Sequence, residues 1–306
     1  MLYRRDILSI EDLTVEDIED IFIMTDFLKS KENNSHRPLS GKSVGLYFEK
    51  PSTRTRVSFE VGVYQLGGHP VYLDTKSLQI GRGESISDTA KILSGYLDCI
   101  VARTLKDETV RELALYADIP VINALTDLEH PCQALGDLYT VKEYFGDYKG
   151  LKFSFVGDGN NVANSLLLLC SKLGVNFAIA SPKGYEIRSE IKEKALKNAK
   201  VSGANISFYN DPFDAVTDAN IIYTDVWVSM GEEEEREKRN LDFQGFQVNI
   251  GLVGRAHPNV RIMHCLPAIR GKEITDEVMD GPNSIIFKQA ENRLHTQKAV
   301  LSLILG

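Results

Sequence analysis

The sequence predicts an α/β protein made of two doubly wound parallel-sheet domains joined by interdomain helices. Short apolar runs of β-forming residues alternate with helical stretches along the chain, which is typical of parallel sheets covered by helices on both faces. The runs form two series, one before residue 124 and one after residue 152. The length of 306 residues also exceeds the ~100–200 residues of an ordinary domain. Two domains therefore account for the chain better than one.

Each series supplies the strands of one predicted sheet. The strands predicted for the first sheet are 43–48, 70–73, 99–102 and 120–123. Those predicted for the second sheet are 153–156, 177–180, 206–209, 221–223, 261–264 and 285–287. Helices are predicted between the strands, for example over 87–95 and 162–173.

A boundary between the two domains is predicted near residues 130–150. A helix beginning at Pro131 would bridge the two halves, since proline is favoured at the first helical position, and Lys149-Gly150 then opens the second series. At the end of the chain, the spacing of apolar residues over 291–305 predicts a packed helix. The first domain is therefore expected to span residues 1–131 and the second residues 132–289.

Composition and charge narrow the class of partner. The net charge is −8 and no Lys/Arg block forms a basic stripe, which disfavours nucleic acid and anionic membranes. No apolar run approaches the ~20 residues of a membrane span, and the N-terminus lacks the apolar core of a signal peptide. The four cysteines, at 99, 132, 170 and 265, are dispersed, which favours free thiols in a reducing cytoplasm. The histidines show no metal-ligand spacing, so no metal site is predicted.

The segment Pro-Ser-Thr-Arg-Thr-Arg, residues 51–56, follows a predicted strand and precedes a predicted helix. The N–H groups and the positive dipole end of a helix favour an anion at this position. Ser52 or Thr53 could be an ordinary helix cap. A cap leaves Arg54 and Arg56 unexplained, whereas a guanidinium can bind phosphate or carboxylate oxygens with two hydrogen bonds. The segment therefore indicates an oxyanion site.

Two other segments admit different interpretations. Residues 232–239, Glu-Glu-Glu-Glu-Arg-Glu-Lys-Arg, contain charge pairs at i,i+4 spacing and are interpreted as a solvated helix face. The segment 155–162 contains Gly-Asp-Gly after a predicted strand, which is similar to a dinucleotide-binding turn. Val162 occupies the third glycine position, however, and the acidic residue expected about twenty positions later is missing. Nucleotide binding by Gly157–Val162 is therefore kept only as an alternative.

The nine residues Phe-Glu-Lys-Pro-Ser-Thr-Arg-Thr-Arg, at 48–56, resemble the carbamoyl-phosphate signature of the aspartate/ornithine carbamoyltransferase family. Further segments fit the same family in the same order and cover almost the whole chain. They are 79–90, Arg103, the His-Pro-Cys-Gln motif at 130–133, 155–162, 225–231, the His-Cys-Leu-Pro motif at 264–267, and 291–293.

This resemblance implies a set of site residues. Phosphate contacts are implied for Ser52, Thr53, Arg54, Thr55, Gln79 and Arg103. Contacts to the carbamoyl group are implied for His130, Gln133, Arg293 and Thr55, and Cys265 and Leu266 are included among the residues that bind carbamoyl phosphate. Ornithine contacts are implied for Asn161, Asp225, Ser229 and Met230. The residues implied as catalytic are Arg54, His130, Asp225 and Cys265. The bond between Leu266 and Pro267 is implied to be cis, and Trp227 is expected in the core.

Within the family, the residues at 225–231 and 264–267 favour ornithine as the acceptor. They offer an acid, a hydroxyl, a thioether and a thiol, whereas members specific for aspartate need extra cationic groups for a second carboxylate. The reaction implied is carbamoyl transfer from carbamoyl phosphate to the side-chain amine of L-ornithine, giving L-citrulline and phosphate. Aspartate, putrescine and N-acetylornithine remain alternative acceptors, and a non-catalytic amino-acid sensor remains an alternative of another class.

The resemblance also implies the organisation of the protein. Residues 1–131, joined by a returning C-terminal helix at about 290–306, would bind carbamoyl phosphate, and residues 132–289 would bind ornithine. The loop that contains Gln79 would reach into a neighbouring subunit, so we expect a homo-oligomer, a trimer or a multiple of trimers, with shared active sites. No cofactor is expected.

Overall fold

The structure, a computed structural model, describes residues 2–30, 35–75, 83–229 and 233–306. Their backbone forms two compact units. Unit 1 comprises residues 1–139 and 291–306, and unit 2 comprises residues 140–290. The two boundaries lie within two helices, Pro131–Phe145 and Ile286–Leu305. The predicted fold class, two parallel-sheet α/β domains joined by helices, is confirmed.

Nine strands and twelve α-helices are assigned within the described residues. The strands are β1 Ser43–Phe48, β2 His69–Asp74, β3 Cys99–Arg103, β4 Val121–Leu125, β5 Lys152–Val156, β6 Asn176–Ala180, β7 Ile206–Tyr209, β8 Ile221–Thr224 and β9 Arg261–His264. The helices are α1 Val15–Lys29, α2 Thr53–Gln65, α3 Ile86–Ser94, α4 Asp107–Tyr116, α5 Pro131–Phe145, α6 Asn161–Leu173, α7 Ser189–Ser202, α8 Pro212–Val216, α9 Arg236–Asp242, α10 Ile250–Val253, α11 Asp276–Met279 and α12 Ile286–Leu305.

Unit 1 contains a four-stranded parallel sheet in the order β2-β1-β3-β4. β3 is buried along its whole length and β1 at all but its first residue, which explains their near-continuous apolar sequences. After β1 the chain places β2 on one side of it and then β3 and β4 on the other side, so the strand order reverses between β1 and β3. The carboxyl ends of these two strands therefore form the switch point at which ligands of open α/β sheets bind.

Unit 2 contains a five-stranded parallel sheet in the order β7-β6-β5-β8-β9. Its switch point lies between the neighbouring strands β5 and β8. One face of the sheet packs against a buried cluster that includes Trp227, Phe243 and Phe246. Trp227 is 8% exposed, and its ring stacks on Phe243 at a centroid distance of 5.9 Å. The expectation that Trp227 belongs to the core is confirmed.

Two predictions about local structure are wrong. The tenth predicted strand, 285–287, is not a strand, because α12 begins at Ile286. Ser284 makes only an isolated bridge to Ile262 and the Ile285 N–H donates to the Ile262 carbonyl at 3.0 Å before the helix begins. The charged run does not form one solvated helix either. Its described part forms a 3-10 turn, Glu233–Glu235, followed by α9, in which Arg239 is buried. Among the described helices, none is both long enough and apolar enough to cross a bilayer.

Candidate active site

The described residues that are implied to bind phosphate lie at or just after the carboxyl ends of β1 and β3, which form the switch point of unit 1. Phe48 ends β1 opposite Arg103, the last residue of β3, and the Glu49 N–H donates to the Arg103 carbonyl at 2.9 Å. The register between β3 and β4 shifts at Arg103, and such irregularities re-aim side chains at the ends of strands. Arg103 is 4% exposed. Its buried charge therefore lies beside the segment that leads into α2.

The N-terminus of α2 is built as a helix cap. Ser52 has extended dihedral angles, and its Oγ accepts a hydrogen bond from the Thr55 N–H at 3.3 Å. Thr53 and Arg54 form the first turn, so their positions face the positive end of the helix dipole. Arg56 is engaged elsewhere, because its Nε donates to Glu60 at 2.9 Å and its guanidinium covers the Tyr72 ring at 3.6 Å. Arg54 is the candidate for an anion because it lies in the first turn of α2, at the positive end of the helix dipole.

A second buried arginine reaches the same helix from α12. Nη2 of Arg293 donates to Oγ1 of Thr55 at 2.8 Å. Both residues are almost completely buried, at 3% and 1% exposure. Because Thr55 Oγ1 accepts this bond, the hydroxyl proton of Thr55 is left to donate in another direction.

His130 lies among the arginines of unit 1. Burial lowers the pKa of His130 well below its usual value, and the positive charges of Arg293, Arg103 and Arg54 lower it further. The imidazole is therefore neutral at physiological pH. We call Arg54, Thr55, Arg103, His130 and Arg293 the arginine–histidine cluster.

Gln133 follows His130 in the first turn of α5 and is 1% exposed. Its Nε2 donates to Asp137 at 2.8 Å. Its Oε1 is buried and has no hydrogen-bond partner among the residues that the structure describes. A buried amide oxygen of this kind is costly unless a ligand or water donates to it.

In unit 2, the two segments that follow β5 and β8 meet at the switch point. Asn160 caps α6, with its Oδ1 accepting from the Val162 and Ala163 N–H groups at 3.0 and 3.1 Å. Its Nδ2 donates to Asp225 at 2.8 Å. The helix N–H groups that a dinucleotide pyrophosphate would use are therefore partly occupied by Asn160, which argues against the nucleotide alternative.

Asp225 also accepts a hydrogen bond from a cysteine. The Cys265 thiol lies 2.9 Å from Asp225 Oδ1, and the Val226 N–H donates to the same oxygen at 2.8 Å. Asp225 is 7% exposed and Cys265 is half-buried. We call Asn160, Asp225 and Cys265 the aspartate–cysteine cluster. It presents a fixed carboxylate and a thiol, the chemistry suited to an ammonium or amine group.

His264, which precedes the cysteine, is engaged through both ring nitrogens. Its Nδ1 accepts from the Leu266 N–H at 2.8 Å and its Nε2 lies 3.3 Å from buried Glu273. Donor atoms of Asp225, His264 and Cys265 lie within 4.8 Å of one another, a spacing that a metal ion could use, although sequence spacing predicted no metal site. Hydrogen bonds already hold these three residues. The Leu266–Pro267 peptide is cis, as the resemblance implied, and Leu266 has φ +58°.

The remaining predicted residues are placed as follows. Asn161 opens α6 and is half-buried, and Ser229 is also half-buried. Cys265 and Leu266, which were included with the carbamoyl-phosphate residues, belong to unit 2. Gln79 and Met230 lie outside the described residues.

Sequence reasoning missed two groups in unit 2. One is Asn160, because its neighbour Asn161 was predicted as the site residue instead. A polar residue just before the apolar run of a helix is the usual signal of a helix cap and could have indicated Asn160. The other is the buried ion pair of Asp158 and Arg239, 2.7 Å apart. No spacing signal connects residues 81 positions apart in the chain.

Comparisons with known proteins show the family of the chain. A family model described as the aspartate/ornithine carbamoyltransferase carbamoyl-P binding domain matches residues 5–143, and the Asp/Orn binding domain of the same family matches residues 149–304. The chain therefore belongs to the aspartate/ornithine carbamoyltransferase family.

Relatives with curated names show which members of this family the chain is similar to. The ornithine carbamoyltransferase of Methanosarcina acetivorans is 55% identical over 300 residues, which cover 97% of this chain and 98% of the relative. A protein of Pyrococcus furiosus named ornithine carbamoyltransferase, anabolic, is 51% identical over 304 residues, covering 99% and 96%. The solved structure of an ornithine carbamoyltransferase from Pyrococcus furiosus has a TM-score of 0.96 at 50% identity and covers 100% of this chain and 98% of that one.

Proposed function

We propose that the protein transfers the carbamoyl group of carbamoyl phosphate to the side-chain amine of L-ornithine, giving L-citrulline and phosphate. The observation that carries the choice of ornithine is the aspartate–cysteine cluster, in which Asp225 is held by both Asn160 and Cys265. A carboxylate fixed in this way attracts an ammonium group and repels the second carboxylate of aspartate. Relatives of about 50% identity that are named ornithine carbamoyltransferase support the same acceptor.

Unit 1 is proposed as the carbamoyl-phosphate-binding domain and unit 2 as the ornithine-binding domain. The family descriptions that match residues 5–143 and 149–304 support this division. The predicted boundaries, after residues 131 and 289, fall in the same helices, α5 and α12, as the unit boundaries.

The phosphate is proposed to bind at the N-terminus of α2. Ser52, Thr53 and Thr55 offer hydroxyl and backbone donors there, and Arg54 and Arg103 supply positive charge. Negative charge accumulates on the phosphate as its bond to the carbamoyl carbon breaks. Fixed cationic donors at this position therefore stabilise the transition state more than the ground state. Gln79 keeps the phosphate role that the resemblance implies.

The carbamoyl group is proposed to lie against His130, Gln133 and Arg293. Its oxygen gains charge as the amine attacks, and the Arg293 guanidinium and the neutral His130 imidazole are donors of the right kind. The buried Oε1 of Gln133 suits the carbamoyl NH₂, which needs an acceptor. Thr55, which is also proposed to bind the phosphate, is connected to the residues proposed for the carbamoyl group by its hydrogen bond to Arg293. Cys265 and Leu266 are proposed to complete the carbamoyl-phosphate contacts.

The ornithine amine attacks only as its neutral form, so its proton must leave before the new C–N bond forms. Asp225 and Cys265 are proposed to bind this amine and ease the departure of the proton. Asn161 is proposed to bind the α-carboxylate or α-amino end, and Ser229 and Met230 to line the chain of the substrate. The bond between the carbamoyl carbon and the phosphate oxygen breaks as the C–N bond forms, and phosphate departs with the electron pair. The attacking nitrogen then loses its second proton to the departing phosphate, which leaves the single N–H of citrulline. Because this leaving group is already activated, positioning suffices and no cofactor is proposed.

The test is citrulline formation from carbamoyl phosphate and ornithine, measured beside aspartate, putrescine and N-acetylornithine as acceptors, with NAD titrated separately. Citrulline formation with a clear preference for ornithine is expected. Turnover of another acceptor at equal or higher kcat/KM would shift the assignment within the family. Binding of ornithine without turnover would favour an amino-acid sensor.

We further propose a homotrimer, or a multiple of trimers, with shared active sites. An exposed apolar stripe on α2 supports an interface: Val57, Val61 and Tyr64 lie at i, i+4 and i+7 and are 49%, 36% and 75% exposed. Apolar side chains at this spacing form one face of a helix. A cytoplasmic location is the accompanying proposal, in keeping with the four free cysteines.

Sedimentation should give a mass of about three times 34.2 kDa, or a multiple of that value. Tyr64→Glu should shift the protein towards smaller species and lower its activity. Leu115→Glu is the matched control, because Leu115 is 74% exposed on a different helix of the same unit. Full activity in a Tyr64→Glu monomer would argue against shared sites.

A further inference from the structure

The ion pair between Arg239 and Asp158 is the most buried charged contact in the described part of unit 2 outside the aspartate–cysteine cluster and the His264–Glu273 pair. Nη1 of Arg239 lies 2.7 Å from Asp158 Oδ2. The two residues are 6% and 8% exposed. A buried ion pair is seldom retained for stability, because desolvation of both charges offsets most of their attraction. The location of the pair therefore calls for another explanation.

The same nitrogen atom also contacts the second switch-point segment. Arg239 Nη1 donates to the carbonyl oxygen of Trp227 at 3.1 Å. Asp158 belongs to the segment after β5, two residues before Asn160, and Trp227 belongs to the segment after β8, two residues after Asp225. One guanidinium nitrogen thus joins the two segments that carry the residues proposed to bind ornithine.

The rest of the arginine side chain is fixed as well. Its Nε donates to Glu235 at 3.1 Å, and its guanidinium lies 4.9 Å from the centre of the Tyr185 ring. The Tyr185 carbonyl in turn accepts from the Gly159 N–H at 2.8 Å. Gly159 is packed so closely that an added Cβ would lie 2.4 Å from the backbone nitrogen of Ile187. The backbone at Gly159 is therefore closely packed against residues 185–187, and the Tyr185 ring of that stretch contacts the Arg239 guanidinium.

We propose that Arg239 and Asp158 are positioning residues for the ornithine site. They set the distance between the segment that holds Asn160 and Asn161 and the segment that holds Asp225 and Ser229. Neither residue touches the substrate in this proposal, which rests on the proposed function of unit 2. The Asn160–Asp225 bond at 2.8 Å is the nearer connection between the segments, and the Arg239 contacts are the outer connection that keeps it aligned.

Arginine is needed because the contacts diverge from one planar group. A lysine ammonium could replace Nη1 between Asp158 and Trp227, but it would lose the Nε contact to Glu235 and the planar face over Tyr185. Arg239→Lys should therefore retain part of the function, and Arg239→Met, which keeps a long apolar chain, should retain the least.

The test compares Arg239→Met and Arg239→Lys with Arg236→Met, a control that removes an exposed arginine from the same helix. A displacement of about 1 Å at a reacting group can cost up to ~100-fold in rate, so Arg239→Met should raise KM for ornithine or lower kcat by about 10- to 100-fold. KM for carbamoyl phosphate should stay within about twofold, as for the surface control. Arg239→Lys should lie between the wild type and the Met variant.

A second readout does not depend on turnover. Trp227 is the only tryptophan of the chain, and its own carbonyl is the acceptor of Arg239. Loss of that contact should shift the Trp227 emission to longer wavelength in the substrate-free Arg239 variants but not in Arg236→Met. If Arg239→Met does not fold, Arg239→Lys carries both readouts.

Asp158→Asn provides the reciprocal test, because it keeps the size of the side chain and removes its charge. If the two residues act as one unit, Asp158→Asn combined with Arg239→Met should be no worse than the poorer single variant. Additive losses would contradict a shared positioning role.

Two further outcomes would overturn the proposal. One is wild-type ornithine kinetics and Trp227 emission in both Arg239 variants, and the other is equal losses towards ornithine and carbamoyl phosphate. Failure of the proposed function would look different. In that case the wild type would form no citrulline, whereas the emission shift of the Arg239 variants would still report the displaced segment.

Discussion

The hydrogen bond from Arg293 to Thr55 gives the sharpest test of the arginine–histidine cluster. Thr55→Val keeps the shape of the side chain and removes the hydroxyl that accepts from Arg293 Nη2 at 2.8 Å. The two side chains are 3% and 1% exposed, so water cannot readily replace the lost acceptor. A hydrogen bond to a charged group contributes about 1.5–3 kcal/mol. The bond is already formed at 2.8 Å in the structure and holds the Arg293 guanidinium in place. If its loss displaces Arg293 from the carbamoyl oxygen and the whole contribution is lost from the transition state, kcat should fall roughly 10- to 150-fold.

The assay is the initial rate of citrulline formation with both substrates saturating, for the wild type, Thr55→Val and Thr55→Ser. Serine retains the oxygen, so Thr55→Ser should stay within a few-fold of the wild type. Urea unfolding of each variant should show a loss of about 1–3 kcal/mol for Thr55→Val, because a buried donor is left unsatisfied. A kcat for Thr55→Val within threefold of the wild type would refute the catalytic importance of this bond, whatever the change in stability.

Arg54→Ala should lower kcat by about 100- to 1,000-fold, as removal of one transition-state donor does in other enzymes. Arg56→Ala should change kcat little, because Arg56 binds Glu60 and Tyr72. Equal losses of kcat in the two variants would contradict this distinction. The depressed pKa of His130 means that the unfolded state takes up a proton first as pH falls below ~6.5, so stability should decline there by up to ~1.4 kcal/mol per pH unit. His130→Gln should flatten that slope in urea unfolding between pH 5 and 7, and an unchanged slope would show that other groups cause it. Because the reference pKa of an alkyl ammonium is ~10.4, kcat/KM for ornithine should rise from about pH 6 to 9. Cys265→Ser should weaken ornithine binding and alter that profile, with KM for carbamoyl phosphate much less affected; no change would leave Asp225 as the amine-directing group.

Whereas the edge strands β2 and β7 are only partly buried, seven of the nine described strands are buried on both faces over most of their length, which made them predictable. Such strands read as short continuous apolar runs, and all nine strands of the described residues coincide with predicted runs to within one or two residues. The same rule produced the wrong strand at 285–287. An apolar run of three residues fits a buried helix start equally well, and Ile286 is indeed fully buried as the first residue of α12.

The grouping of the site residues could be predicted from the rule that ligands bind at the carboxyl ends of parallel strands. Arg54 follows β1 and Arg103 ends the neighbouring strand β3. Asn161 and Asp225 follow the neighbouring strands β5 and β8. What could not be predicted is which polar side chain in each segment is held by protein partners. Asn160 and Asn161 are chemically identical neighbours, and only the backbone turn before α6 decides that Asn160 faces both the helix N–H groups and Asp225.

Arg239 shows why a charged run cannot be interpreted by spacing alone. The pair Glu235 and Arg239 exists as predicted, at 3.1 Å, and the glutamate is exposed as a solvated face requires. The arginine at the other end of the pair is buried, because Asp158, a residue from a distant loop, supplies the countercharge that makes its burial tolerable. Local spacing describes how a helix can satisfy its own charges, but burial of a charge depends on a partner that the fold brings from elsewhere. The i,i+4 rule therefore predicted the contact between Glu235 and Arg239 correctly, but it wrongly placed Arg239, the residue of the positioning proposal, in solvent.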